Sequence, residues 1–133
     1  MTREQGGVAA EVAVLTPALM LLLMLVVFGG RLGQAEQDVA QATAEAARVA
    51  SQGRGSVATT ARLTVMSNLT AAGVECRSVR VTVDGDPPRA GGSVRVTTDC
   101  VVDLTDVAGL GLPRQRTVQA SAVEVIDTYR GDD

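Results

Sequence analysis

Histidine, lysine and tryptophan are absent from this chain, and Phe28 and Tyr129 are its only aromatic residues. The missing imidazole removes the commonest general base and the commonest metal ligand, which weighs against hydrolytic and metal chemistry. All twelve basic residues are Arg, none of them clustered, and the net charge is −3. Such a chain lacks the electrostatic footprint of a nucleic-acid binder. No nucleophile elbow, phosphate loop or metal-ligand cluster frames its Ser, Asp or Glu residues. The expectation is a protein that is not an enzyme, with no catalytic, metal or cofactor-binding residues. With so few rings, any folded domain must be small and packed with Val, Leu and Ala, and 133 residues suffice for one. Cysteine is scarce too: Cys76 and Cys100 are the only two. They are too far apart for a Cys-x-x-Cys redox motif, and are either free core thiols or one disulfide, depending on compartment.

Apolar residues are plentiful at the N-terminal end. Val12 to Phe28, VAVLTPALMLLLMLVVF, is a run of 17 positions without charge and with Thr16 as its one polar side chain. Extended to Val8 and Gly30 it has 23 residues, enough at ~1.5 Å per residue to cross a hydrocarbon core of about 30 Å. Pro17 would break a soluble helix, but a membrane span tolerates it. The rest of the chain has too little apolar surface to cover such a helix all round, so the run reads as a transmembrane segment. Beyond it Leu32, Ala35, Val39, Ala42, Ala46 and Val49 recur at alternating steps of three and four between Gln, Glu, Asp and Arg. That is a narrow apolar seam on a polar helix, the pattern of a helix that packs along partners. One helix of roughly 60 Å is expected from about Val12 to Ser51, ended by Gly53 and Gly55.

Ser56 is placed to cap a second helix, Val57 to Ala72, closed by Gly73, with Ala58, Ala61, Val65, Leu69 and Ala72 as its apolar face. From Arg77 the period changes to two. Val79, Val81 and Val83 mark one half-buried strand, and Val94, Val96, Thr98, Cys100, Val102 and Leu104 mark the inner face of a second. DGDPPRAGG, Asp84 to Gly92, is the turn between them. A loop from Val107 to Pro113 leads to a third strand, Thr117 to Ile126, and Asp132 and Asp133 form a solvated end. Closing the first two strands as a hairpin sets Val83 opposite Val94 and residue 77 opposite Cys100. Cys76 is then one position out of line, a gap that a bulge can close. The fold class expected is α+β and membrane-anchored: a long transmembrane helix running on into a soluble helix, a short helix, and an antiparallel sheet of about three strands.

The first residues, MTREQGGVAAE, form a polar leader, then small residues, then Glu11 at the edge of the apolar run. This is the layout of a type IV prepilin, in which a membrane peptidase cuts after a Gly and a Glu becomes the fifth residue of the mature chain. Counting back from Glu11 puts the cut between Gly6 and Gly7. A carboxylate at the edge of hydrocarbon is costly, and a filament can offset that cost by pairing it with the N-terminal ammonium of a neighbouring helix. The bland alternative is Glu11 in the headgroup zone of an uncut anchor.

Residues 6–51 together resemble the N-terminal motif of TadE-like proteins, pilin-like components of tight-adherence (Tad/Flp) pilus machinery. The resemblance lies in the small residues before Glu11, Ala13-Val14 and Pro17 at the head of the span, Phe28-Gly29 and Arg31-Leu32 at its end, and the Gln/Ala-rich helix closing on Ala-Glu-Ala-Ala-Arg. Val12 stands where many members carry Phe or Tyr. The resemblance implies a structural minor pilin or pseudopilin that assembles an adhesive pilus for surface colonisation. Its implied partners are a prepilin peptidase, other pilins and the assembly platform. It further implies a leader over 1–6, a transmembrane helix over 7–30, a protruding helix over 31–52, and a small domain over 53–133 lying outside the bacterial cytoplasmic membrane, the N-terminus inside. A disulfide persists in that compartment, so Cys76 and Cys100 are expected to be bonded. The alternatives are a single-pass anchor presenting an envelope-binding domain, a domain released by signal peptidase near Ala35, and an envelope enzyme.

Overall fold

A computed structural model describes residues 5–53, 56–85, 88–103 and 115–129 of the chain. Residues 1–4 of the expected leader, Gly55, Leu104, the loop expected over Val107 to Pro113, Asp132 and Asp133 lie outside the described residues. In chain order there follow α1 (Gln5–Gln52), α2 (Val57–Ala72), β1 (Cys76–Asp84), β2 (Ser93–Asp103) and β3 (Gln115–Val125). This is the expected α+β plan of a long apolar helix, a short helix and a three-stranded antiparallel sheet. Residues up to Gly33 form one unit and those from Gln34 onward a second.

In the first unit α1 begins at Gln5, earlier than the Val12 expected, and takes in Gly6 and Gly7 ahead of the helix-compatible Val8-Ala9-Ala10-Glu11. Pro17 lies inside the helix and cannot supply the N–H that the Ala13 carbonyl would receive. One turn away the Thr16 hydroxyl donates to the Val12 carbonyl at 2.6 Å, so the one polar side chain of the run satisfies itself on its own backbone.

The second unit has one core. From α1 it takes Val39, Ala42, Thr43, Ala46, Ala47 and Ala50; from α2 Val57, Ala61, Val65 and Leu69; and from the sheet Val94, Val96, Cys100, Val102 and Val118 with Ile126 beyond it. Thr43 is buried at no cost in hydrogen bonds, since its hydroxyl donates to the Val39 carbonyl at 2.7 Å. α2 has the bounds its caps dictate. The Ser56 hydroxyl accepts from the Thr59 N–H, and Gly73 takes the left-handed φ of 73° that lets Val74 N–H reach back to the Leu69 carbonyl. Its buried face differs from the expectation, because Val57 is buried whereas Ala58 and Ala72 are exposed. The helix is turned to put Val57 inside, which removes more apolar surface from water than an alanine there would.

The strand order is β1-β2-β3, antiparallel throughout. The hairpin register is two residues from the one expected: Val83 faces Val96, Val81 faces Thr98, and Cys100 faces Val79, not residue 77. A slip of two keeps every side chain on its face, so the inner face of β2 remains Val94, Val96, Thr98, Cys100 and Val102, all buried. The chain between the two strands is also bonded to the far end of β3. Gly91 N–H donates to the Ile126 carbonyl and Ile126 N–H to the Gly92 carbonyl. The β1–β2 connection is thereby tied to the end of β3, and Ser93 and Val94 pair with Val125 and Glu124 rather than with β1. The outer face is polar, with Gln119 donating to Asp99 at 2.8 Å and the Thr97 and Ser121 hydroxyls 3.3 Å apart.

Candidate functional site

Two groups of residues carry the chemistry that the sequence singles out, one in each unit. In the first, Gly6, Gly7 and Glu11 all lie in the opening turns of α1. Gly7 and Glu11 are four residues apart, so on a helix they stand one above the other on a single face. Glu11 is exposed and has no ion-pair partner among the described residues. The side chains that follow are exposed too. Val14, Leu15, Leu19, Leu21, Leu23 and Leu25 are each more than half open, and none of the most apolar stretch of the helix is buried. A core helix of a soluble domain would be covered. An open apolar helix of this length needs another apolar medium, and a lipid bilayer supplies one. The single N-terminal apolar helix therefore fits a membrane anchor.

The seam expected to pack along partners is divided. Its C-terminal positions Val39, Ala42 and Ala46 are buried in the second unit's own core, widened there by Thr43, Ala47 and Ala50, while Val49 is only half-buried. Alanine at these positions lets α1 approach its neighbours closely. The backward positions Leu21 and Leu25 remain open. The open positions of the seam therefore lie in the apolar stretch.

The second group is Cys76 and Cys100, which form a disulfide with their Cα atoms 5.5 Å apart. The means is a β-bulge. Cys76 pairs with Val102 and Ser78 with Val101, so Arg77 is an extra residue on β1. Without it strict alternation from Val83, Val81 and Val79 would turn Cys76 to the outer face. The extra residue instead leaves Arg77 and Ser78 both exposed in succession and returns Cys76 to the inner face, diagonal to the fully buried Cys100. Arg77, pointing outward, reaches Asp103 at 3.5 Å. A sequence pattern that allowed for a bulge could anticipate the bond, but nothing in it marks Arg77 as the residue that bulges. Nearby, the Thr98 hydroxyl is buried in the same layer with no hydrogen-bond partner among the described residues, a feature that the alternation reading passed over as one more inward position. Among the described residues no three His, Cys, Asp or Glu side chains are grouped to hold a metal.

Comparison with known families agrees with the resemblance drawn from the N-terminal residues. Residues 6–48 match the model of the TadE-like protein family. The match takes in Gly6, Gly7, Glu11, the open apolar helix and most of the buried seam, and it ends before α2 and the sheet. No curated protein and no solved structure matches the chain.

Proposed function

We propose that the protein is a minor pilin or pseudopilin of a tight-adherence pilus, held in the membrane by the first part of α1 and contributing to assembly of an adhesive fibre. The observation that carries this reading is the open apolar helix with one carboxylate, Glu11, at its head. A lone carboxylate at the edge of hydrocarbon is costly in a free helix and is offset when a neighbour brings an ammonium to it. In this reading residues 1–6 are a leader removed by a prepilin peptidase, Gly7 becomes the N-terminal residue, and Glu11 pairs with the N-terminal ammonium of an adjacent subunit. The apolar segment spans the membrane with its N-terminus in the cytoplasm, and the domain built from α2 and the sheet stands outside, where the disulfide persists. The role is structural, with other pilins and the assembly platform as partners.

N-terminal sequencing of the mature protein from the membrane tests the reading. A chain starting at Gly7 supports it. A chain starting at Met1 or Thr2 refutes processing and leaves an uncut single-pass anchor presenting a small envelope-binding domain. Protease added to spheroplasts should digest the domain, and its full protection would overturn the topology.

A further inference from the structure

The Cys76–Cys100 bond is covered unequally at its two ends. Cys100 lies in β2, the central strand of the sheet, and is fully buried. Cys76 is the first residue of β1, an edge strand, and is partly exposed. It also lines a groove of about 370 Å³ between the end of α2 and the start of β1. Met66, Leu69, Val74 and Val79 give the groove apolar walls, and the exposed Glu75 lines it too.

A disulfide exchanges when a thiolate attacks one of its sulfurs, and access decides which one. The attack follows the line of the bond, from behind the sulfur that is taken. The line from Cys100 through Cys76 leads from the central strand to the sheet edge, where the groove lies. Behind Cys100 there is only core. Attack there waits for the domain to open, a state with a population of roughly 10⁻³ to 10⁻⁸ in a small domain. A thiolate leaves less readily into an apolar core than into water, so attack at Cys76 is slow. It is still the open route.

We infer that Cys76 is the sulfur at which this disulfide is made and broken, and that the groove beside it receives the reactive cysteine of a thiol–disulfide oxidoreductase. In the breaking direction the partner's thiolate bonds to the Cys76 sulfur, and the electron pair of the old bond leaves on the Cys100 sulfur. The partner's second thiolate then attacks its own sulfur in the mixed disulfide and displaces Cys76. The partner ends as a disulfide, and Cys76 and Cys100 end as thiols with protons taken from water. In the making direction each step runs backward, and the buried Cys100 closes the bond from inside. The groove suits a protein thiol better than an anionic small one such as glutathione. Its apolar walls reward an apolar segment, and Glu75 repels carboxylates, while the neighbouring Arg77 is held by Asp103 at 3.5 Å.

A thioredoxin whose resolving cysteine is changed to serine arrests the exchange at the mixed disulfide. It is mixed with the full oxidised chain in detergent, quenched in acid, and the adduct is mapped by mass spectrometry. The adduct should fall on Cys76 about tenfold or more above Cys100. Met66 is 47% exposed, so Met66→Glu spares the core and sets a charge on the groove wall. It should slow trapping by about tenfold, while mercaptoethanol, small and uncharged, reduces the bond at the wild-type rate. An adduct on Cys100, or one shared evenly, overturns the assignment of Cys76. Trapping that Met66→Glu leaves unchanged, or slows no more than it slows mercaptoethanol, overturns the docking. Failure to trap any adduct overturns both.

Discussion

Removing the Cys76–Cys100 bond tests how the second unit is held together. The bond joins residues separated by 24 positions, and in the chain-entropy model a loop of that length constrains the unfolded chain by about 3 kcal/mol. That is a large share of the roughly 5–15 kcal/mol that holds a domain folded. At about 4–8 °C per kcal/mol for a small domain, the unfolding midpoint should fall by about 12–24 °C. The competing account is packing, because Cys100 is fully buried and Cys100→Ala also deletes core contacts. Two samples separate them: the double variant Cys76→Ala/Cys100→Ala, and the wild-type chain reduced with dithiothreitol, which keeps both sulfurs and loses only the bond. Entropy predicts that the reduced wild type falls nearly as far as the double variant. The apolar part of α1 stays helical in detergent, so the measurement is amide exchange at Val96, Thr98 and Val102 of β2 against temperature, on the full chain. A reduced wild type that unfolds within about 3 °C of the oxidised protein would refute the reasoning, since the bond would then add almost nothing beyond its packing.

Deleting Arg77 should preserve the disulfide, because Cys76 then takes the regular position opposite Val102 on the inner face; intact mass without reductant, about 2 Da below the dithiol, reports it, and free thiols would refute the bulge reading. Thr98→Val should raise domain stability by about 1 kcal/mol, since the hydroxyl is buried without a partner among the described residues and its replacement is nearly the same size. A lower unfolding midpoint would show that the hydroxyl is bonded after all. Glu11→Ala should leave membrane insertion intact or ease it, while reducing co-purification with pilus components several-fold, and unchanged co-purification would argue for a plain anchor.

Some of this architecture was legible residue by residue, and the reasons differ by element. The apolar run from Val12 to Phe28 carries its meaning in composition, since 17 uncharged residues in succession have few stable surroundings other than lipid. α2 was bounded by Ser56 and Gly73 because capping is local chemistry between a side chain or a left-handed glycine and the nearest backbone groups. The inward residues of β2 followed from alternation alone, and survived a wrong hairpin register because the error was even. Glu11 and the glycines before it are singled out by their spacing from the apolar run, a linear property of the chain, and their role stays a proposal.

Tertiary structure decided what depends on contact between distant segments. Gly91 and Gly92 bond to Ile126, some 35 residues on, and no local pattern near the turn encodes a bond to the end of β3. The bulge at Arg77 is fixed by the need to return Cys76 to the face of Cys100, which only the assembled sheet can impose. The seam of α1 looked continuous because periodicity records which residues are apolar and not what covers them. The fold buries Val39, Ala42 and Ala46 of the seam and leaves Leu21 and Leu25 open. Composition and spacing thus determined the elements and the anchor, while register, bulge and burial had to wait for the packed chain, because each is a relation between residues that the sequence keeps apart.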